Sequence, residues 1–251
     1  MENISVTIIT KDEERLIEDC LKSLNWADEI IIVDSGSKDK TLEIAKNYTG
    51  NIFFNEWKGF ADQKGFALNL AKNDWVLSID ADERVSDELK NEIEKTDLSG
   101  TDGYLIPRNN YFLGKHVTTC GWGRDRQLRL FRKTKAHITD RLVHEGFEVN
   151  GIINNLKNPI IHYTFNSIEN TISKINHYST LEAMEKYKSK KKITGIKILI
   201  HGASSFIRSF VSLRGYRDGV HGLMISIIDS MTTFLTYMKI WELQNKDEKI
   251  F

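Results

Sequence analysis

The chain has 251 residues, of which 40% are hydrophobic and 28% charged, a composition typical of a soluble globular protein that buries its own core. Its two cysteines, Cys20 and Cys120, have no paired spacing, which argues against a disulfide framework or a structural zinc site and fits a reducing compartment. The formal net charge is zero, but residues 1–102 contain 23 Asp and Glu against 12 Lys and Arg, so we expect no nucleic-acid partner.

Strands and helices alternate over the first eighty residues. The first residues lack a basic region followed by an apolar run and therefore predict no signal peptide. Apolar, β-branched runs predict strands at residues 4–10, 29–33, 51–54 and 75–79. Amphipathic patterns predict helices at residues 13–24, 41–48 and 59–71. The short turns between them indicate parallel βαβ units, so the predicted fold class is α/β, with a mostly parallel sheet flanked by helices.

The alternation loosens after residue 82. Ser86 is a predicted helix cap, and residues 103–108 and 127–132 are predicted strands. A sequence resembling a capping box at residues 166–169 begins a mainly helical region. We therefore predict two domains, residues 1–163 and a helical C-terminal extension of residues 164–251.

Polar side chains follow the predicted strands at the points where the strands end. The segments concerned are residues 10–13, 34–39, 58–64 and 80–82. Because open α/β sheets bind ligands at the carboxyl ends of their strands, these segments indicate one site. Asp82 lies past its strand and is best placed to reach a divalent cation, Asp34 to accept a hydrogen bond from a nucleobase, and Lys64 to meet a phosphate. The ordinary alternative, acidic residues in the first turns of helices, is favoured for Asp12 and Asp39.

Three motifs in this series resemble those of the family 2 glycosyltransferases. They are Thr-x-Asp-Glu at residues 10–13, Val-Asp-Ser-Gly-Ser-x-Asp-x-Thr at 33–41 and Asp-Ala-Asp-Glu at 80–83. The resemblance implies a nucleotide-diphosphosugar transferase (GT-A) fold, a UDP-sugar donor and a divalent cation, Mn²⁺ or Mg²⁺. It also implies that the donor is bound by Thr10, Glu13, Asp34, Ser37, Lys64 and Asp80, and the cation by Asp82.

Three later segments narrow the resemblance to the bacterial lipopolysaccharide-core glucosyltransferases. They are residues 122–132, 143–145 and 214–222. The resemblance implies an inverting transfer of a hexose, often glucose, to a lipopolysaccharide-core or lipid-linked saccharide. It places the enzyme in the cytoplasm, at the inner face of the cytoplasmic membrane.

An inverting transfer needs a base for the acceptor's proton. Asp125 matches the spacing of the family's base, and Glu145 is the alternative. His144 would complete the metal shell or touch the diphosphate, or it is an ordinary interior histidine. One or two of Arg126, Arg129 and Arg132 would clamp phosphates, and the others would be surface charge.

The C-terminal extension contains a basic run at residues 186–192, followed by the apolar residues Ile193, Ile196, Ile198, Leu199 and Ile200. This pattern predicts peripheral attachment to anionic lipid; a packed helical hairpin or a dimer contact is the alternative. The 19 residues of Leu223–Trp241 would be long enough to span a bilayer. Asp229 and several Ser and Thr residues within them favour a packing or interfacial helix instead.

Two other functions remain open at the level of sequence. A sugar-nucleotide nucleotidyltransferase usually has a glycine-rich basic loop after its first strand, whereas residues 10–14 are acidic and lack glycine. The other is a non-catalytic nucleotide-sugar-binding protein, and the Asp80/Asp82 pair together with a candidate base counts against it. A dehydrogenase is disfavoured, because no Gly-x-Gly-x-x-Gly follows the first strand.

Overall fold

A computed structural model describes residues 2–139, 146–165, 167–188 and 192–245. The chain divides into two compact units. The first comprises Met1–Asn109 and Asp125–His162, and the second comprises Asn110–Arg124 and Tyr163–Phe251. The sequence analysis, which divides the chain after residue 163, does not anticipate that Asn110–Arg124 belongs with the C-terminal helices.

The strands and helices alternate as expected up to β4. The strands are β1 (Ile4–Thr10), β2 (Glu29–Asp34), β3 (Ile52–Phe54), β4 (Trp75–Asp80), β5 (Glu83–Val85), β6 (Gly103–Phe112), β7 (Lys115–His116), β8 (Arg126–Arg132), β9 (Ala136–Ile138), β10 (Phe147–Val149), β11 (Ile153–Asn155) and β12 (Ile160–Phe165). The helices are α1 (Ile17–Lys22), α2 (Thr41–Ala45), α3 (Phe60–Leu70), α4 (Asp87–Lys95), α5 (Ile168–Tyr187), α6 (Gly195–Ile207) and α7 (Val220–Asn245).

The main sheet has the order β3-β2-β1-β4-β8-β6 and continues through β12 to β5. Strands β3, β2, β1 and β4 are parallel, as the βαβ pattern predicts. Strand β8 runs antiparallel to both β4 and β6, so the sheet is mixed. The predicted α/β class, with a sheet flanked by helices, is confirmed.

The core of the first unit explains why β1, β2 and β4 appear as continuous apolar runs. Their residues are buried on both faces of the sheet, for example Val6 and Leu77 on one face and Val76 on the other. Each fully buried aliphatic side chain contributes about 1.5–3 kcal/mol relative to exposure. Helix α1 adds Ile17 and Leu21 to the core on the face of Val6 and Leu77.

The second unit is built mainly from α5, α6 and α7. Ser167 caps α5 by accepting a hydrogen bond from the amide of Asn170 (3.1 Å). Gly202 of α6 lies directly against the ring of Phe234 in α7, and its carbonyl accepts a hydrogen bond from Ser230 (2.9 Å). Helix α7 is long and apolar enough to cross a membrane by length and composition.

Candidate active site

The strand register brings the predicted donor-binding loops to one edge of the sheet. Thr10 at the end of β1 is paired with Asp34 at the end of β2, and Ile9 is paired with Asp80 at the end of β4. Three polar segments far apart in the sequence therefore lie beside one another. This is the arrangement that the sequence analysis predicts from the βαβ pattern.

The first two loops are interlocked by hydrogen bonds between side chains and backbone. The Asp34 carboxylate accepts hydrogen bonds from the Gly36 amide (2.8 Å) and from the amide (3.0 Å) and hydroxyl (2.5 Å) of Ser37. The Ser37 hydroxyl accepts from the Asp12 amide (2.9 Å), and Asp12 in turn accepts from the Lys38 amide (2.7 Å). Asp34 thus fixes its own loop, while its bond to a nucleobase stays a prediction.

Thr10 and Glu13 begin the loop that follows β1. The Glu13 amide donates to the Thr41 hydroxyl (2.8 Å), which ties this loop to the start of α2. The Thr10 hydroxyl is buried and has no hydrogen-bond partner among the described residues. Because a buried polar atom without a partner costs free energy, this hydroxyl is suited to bind a ligand group.

Asp80 is paired with two cations. Lys64 lies 3.3 Å from one carboxylate oxygen of Asp80, and Arg129 lies 2.5 Å from the other. Burial disfavours the ionised form of Asp80, but the charges of Arg129 and Lys64 outweigh it and hold the pKa of this carboxyl well below its usual range. The Lys64–Asp80 contact brings together two residues that the sequence analysis assigns to the donor site.

Glu83 connects Asp80 to the predicted base. Its carboxylate is fully buried and accepts hydrogen bonds from the Asp80 amide (3.0 Å), Arg129 (2.6 Å) and Arg108 (3.2 Å). Arg108 also binds Asp125 through two nitrogens, at 2.7 Å and 2.6 Å. Alternating charges therefore run from Lys64 to Asp125, and the sequence analysis assigns no role to Glu83 or Arg108 within this chain of contacts.

Of the three arginines considered as phosphate clamps, only Arg129 reaches the acidic turn. Arg126 donates to the carbonyl of Leu156 (3.0 Å). Arg132 pairs with Asp74 (2.9 Å) and lies over the ring of Trp75. Arg126 and Arg132 therefore have structural partners within the protein.

Asp82 lies beside a histidine that the sequence analysis does not single out. The Asp82 carboxylate and Nε2 of His162 are 3.5 Å apart, and their side chains are 17% and 12% exposed. Strand β12 runs antiparallel to β5 and places His162 opposite Glu83. The histidine lies in a mainly apolar strand, and the pairing of this strand with β5, far away in the sequence, brings it to the acidic turn.

The Asp82–His162 pair is compatible with a divalent cation. A carboxylate oxygen and an imidazole nitrogen at this separation can bind one ion, with phosphate oxygens and water completing the shell. No group of three or more His, Cys, Asp or Glu side chains arranged to hold a metal occurs within residues 2–139, 146–165, 167–188 and 192–245. The protein groups at this turn would therefore hold a cation only together with ligands from the substrate.

Two of the predicted residues, His144 and Glu145, lie outside the described part of the chain. Phe54, by contrast, is a feature of the site that the sequence analysis omits. It ends β3, is paired with Asp34 and is 70% exposed. Its only signal in the sequence is an aromatic residue at the end of a short predicted strand.

The fold is of the nucleotide-diphosphosugar transferase (GT-A) type, with polar loops gathered at the carboxyl edge of its parallel strands. The chain belongs to glycosyl transferase family 2, whose family model matches residues 5–154. The predicted family is thereby confirmed, and the protein is a glycosyltransferase.

Curated relatives match over nearly the whole chain. An uncharacterized glycosyltransferase of Rickettsia typhi is 33% identical over 264 residues, covering 100% of this chain and 90% of the relative. The lipopolysaccharide core biosynthesis glycosyltransferase LpsC of Rhizobium meliloti is 30% identical over 249 residues, covering 95% of this chain and 92% of LpsC.

Solved structures agree on the fold. The crystal structure of S. aureus TarS 1–349 in complex with UDP-GlcNAc has a TM-score of 0.52 and 15% sequence identity. The match covers 98% of this chain and 92% of the TarS chain.

Proposed function

We propose that this enzyme transfers a hexose, with inversion, from a UDP-sugar to a lipopolysaccharide-core or lipid-linked saccharide. The proposal depends above all on the turn at Asp80–Glu83, where Lys64, Arg129 and His162 converge on the acidic side chains. The name of LpsC supports the acceptor class, and the TarS complex with UDP-GlcNAc supports the donor class. An acceptor of this class would place the enzyme in the cytoplasm, at the inner face of the cytoplasmic membrane.

The donor nucleotide would bind along the edge formed by the first two loops. Thr10, Glu13, Asp34 and Ser37 are the proposed contacts of the nucleoside, and Phe54 offers a flat apolar face for the base. The Thr10 hydroxyl, which has no hydrogen-bond partner among the described residues, supports this assignment, because a bound nucleoside would supply the missing hydrogen bond. Lys64 and Asp80 would then flank the sugar diphosphate.

The metal proposal rests on Asp82 and His162. Together these side chains would hold Mn²⁺ or Mg²⁺, and the cation, when bound, would neutralise charge on the departing diphosphate. Arg129 and Lys64 place further positive charge at the same turn.

Asp125 is the proposed base, and Glu145 is the alternative. The acceptor hydroxyl oxygen would attack the anomeric carbon while its proton passes to the carboxylate and UDP departs. Arg108 holds one oxygen of the Asp125 carboxylate through two nitrogens, and Gln127 donates to the other oxygen (2.9 Å), so the carboxylate is held in one orientation, which supports a role in positioned proton transfer.

A UDP-release assay tests the proposal. It uses several UDP- and GDP-sugars, a bacterial lipid extract as acceptor, and buffers with Mn²⁺, Mg²⁺ or EDTA. We expect Asp82→Asn and His162→Ala to lower turnover by about a hundredfold or more, the scale of losing one contact to a developing charge. Asp125→Asn should still bind UDP-sugar but lose transfer by about 10²- to 10⁴-fold.

Asp87→Asn is the matched control, since Asp87 is an exposed acid five residues beyond Asp82 and should retain full turnover. Wild-type turnover by Asp82→Asn in EDTA would contradict the metal proposal. Unchanged turnover by Asp125→Asn would move the base to Glu145.

A further inference from the structure

Helix α6 has an apolar face turned to solvent. Its exposed residues Ile196, Leu199, Ile200 and Ile207, with Val211 in the following π-helical turn, form what we name the α6 stripe, and they are 56–71% exposed. The first four are spaced by three, four and eleven residues from Ile196, so they share one side of a helix with 3.6 residues per turn. Large contiguous apolar surfaces of this kind usually mark an interaction site.

The α6 stripe differs from the surface that the sequence pattern suggests. Ile193 is buried and packs with Ala183 and Ile240, and Ile198 belongs to the same cluster. Tyr237 stacks on His201, with ring centroids 4.0 Å apart. Only part of the apolar run therefore faces outward.

The charged residues that flank the α6 stripe in the sequence have one sign. Residues 186–217 contain nine Lys and Arg, of which Lys190 and Lys191 lie outside the described residues, and no Asp or Glu. Lys197 and Arg208 are exposed and eleven residues apart, so they lie on the same flank of the stripe. Arg214 and Arg217 are exposed beyond its end. Apolar side chains bordered by cations are complementary to a bilayer surface with anionic headgroups.

We propose that the α6 stripe is an interfacial anchor that lies in the plane of an anionic membrane; this rests on the proposed lipid-linked acceptor. Helix α6 has 13 residues and is therefore about 20 Å long, too short to cross the roughly 30 Å hydrocarbon core. A second copy of the chain is a less suitable partner for the α6 stripe. In a two-fold symmetric dimer the basic flanks of the two stripes would lie next to each other and repel.

Helix α7 has a different role in this proposal. It is long and apolar enough to span a membrane, yet Asp229 within it accepts a hydrogen bond from Ser209 (2.7 Å). Thr236 of α7 likewise donates to Glu182 of α5 (2.9 Å). These bonds tie α7 to α5 and to the π-helical turn after α6. From Leu223 to Trp241 the exposed apolar side chains of α7 are 37–47% exposed, less than the 56–71% of the α6 stripe, so α6 presents the most exposed apolar face.

Co-sedimentation of the full chain with vesicles tests the anchor. Wild-type protein should bind vesicles containing phosphatidylglycerol, bind pure phosphatidylcholine weakly, and be released by salt. Leu199→Glu should lower the vesicle partition coefficient by roughly tenfold or more. Lys197→Gln and Arg208→Gln should each lower it by roughly fivefold at low salt. Ile152→Glu, at a similarly exposed apolar residue of the first unit, is the control and should bind as wild type does.

Three outcomes would overturn the anchor. One is wild-type vesicle binding by Leu199→Glu. Another is wild-type protein that resists both high salt and alkaline extraction, which would indicate a spanning α7. The third is a variant that changes from dimer to monomer in gel filtration with unaltered vesicle binding, which would assign the stripe to a second copy.

UDP release by Leu199→Glu with a water-soluble saccharide acceptor should equal that of wild type, so a failed anchor is distinguishable from a failed transferase.

Discussion

At the scale of single residues, Glu83 organises the charges of the site. A fully buried carboxylate is tolerated only when cations and hydrogen-bond donors satisfy it, and Arg129, Arg108 and the Asp80 amide do so here. Because Arg129 also binds Asp80 and Arg108 also binds Asp125, Glu83 links the proposed donor side to the proposed base. The last residue of the Asp-Ala-Asp-Glu motif is therefore a structural support for its neighbours.

Arg129→Gln tests this arrangement through stability. The substitution leaves Asp80 and Glu83 short of a cation inside the protein, and breaking a buried pair in this way costs about 3–5 kcal/mol of the free energy of unfolding. Arg132→Gln is the matched control on the same strand. Its ion pair with Asp74 is partly exposed, so we expect a loss of about 1 kcal/mol. Urea unfolding measures the free energy of unfolding of both variants. Equal losses would show that the buried Arg129 contacts stabilise the protein no more than the partly exposed Arg132 pair does.

At the scale of elements, the start of α7 depends on a close backbone approach. A Cβ atom at Gly222 would overlap the carbonyl oxygen of Gly215, which cannot move as a flexible side chain does. We expect Gly222→Ala to lower the free energy of unfolding by about 3 kcal/mol. Gly195→Ala, at the first turn of α6, meets no heavy atom of the described residues within 4 Å and should stabilise by about 0.5 kcal/mol. Thermal unfolding followed by circular dichroism compares the two, and equal melting temperatures would refute the packing argument.

The elements also show how far the sequence alone leads. Strand β1 is predicted to the residue, because a strand buried on both faces leaves an unbroken apolar run. Helix α1 is predicted to begin at residue 13 but begins at Ile17, since the amides of both Leu16 and Ile17 bond to the Glu13 carbonyl in a turn. The place of His162 beside Asp82 has no local signal, because it follows from the pairing of β12 with β5. Local patterns therefore predict the strand ends and their acids, whereas the partners of those acids come from distant segments.

At the scale of the whole molecule, carboxylates in both units depend on staying ionised. Burial disfavours the ionised forms of Asp74, Asp80 and Asp218, but hydrogen bonds and neighbouring cations hold the pKa of each below its ordinary value. A lowered pKa in the folded state contributes stability above the unfolded pKa of about 3.9 and loses it as the pH falls through the folded pKa. Asp229 is the opposite case, because burial raises its pKa despite the hydrogen bond from Ser209.

These opposite signs predict how stability changes with pH. The free energy of unfolding should stay nearly level between about pH 5 and 8 and fall steeply below about pH 4, because there the unfolded chain binds protons at these carboxylates more readily than the folded protein does. Asp229→Asn should be more stable than wild type at pH 7, because the wild-type protein must keep a buried carboxylate ionised there and the neutral Asn removes this cost. Near pH 3 the Asp229 carboxyl is protonated in both states, so the difference should vanish. Urea unfolding from pH 3 to 8 measures both curves. A constant offset between them would mean that Asp229 acts through packing rather than through its charge.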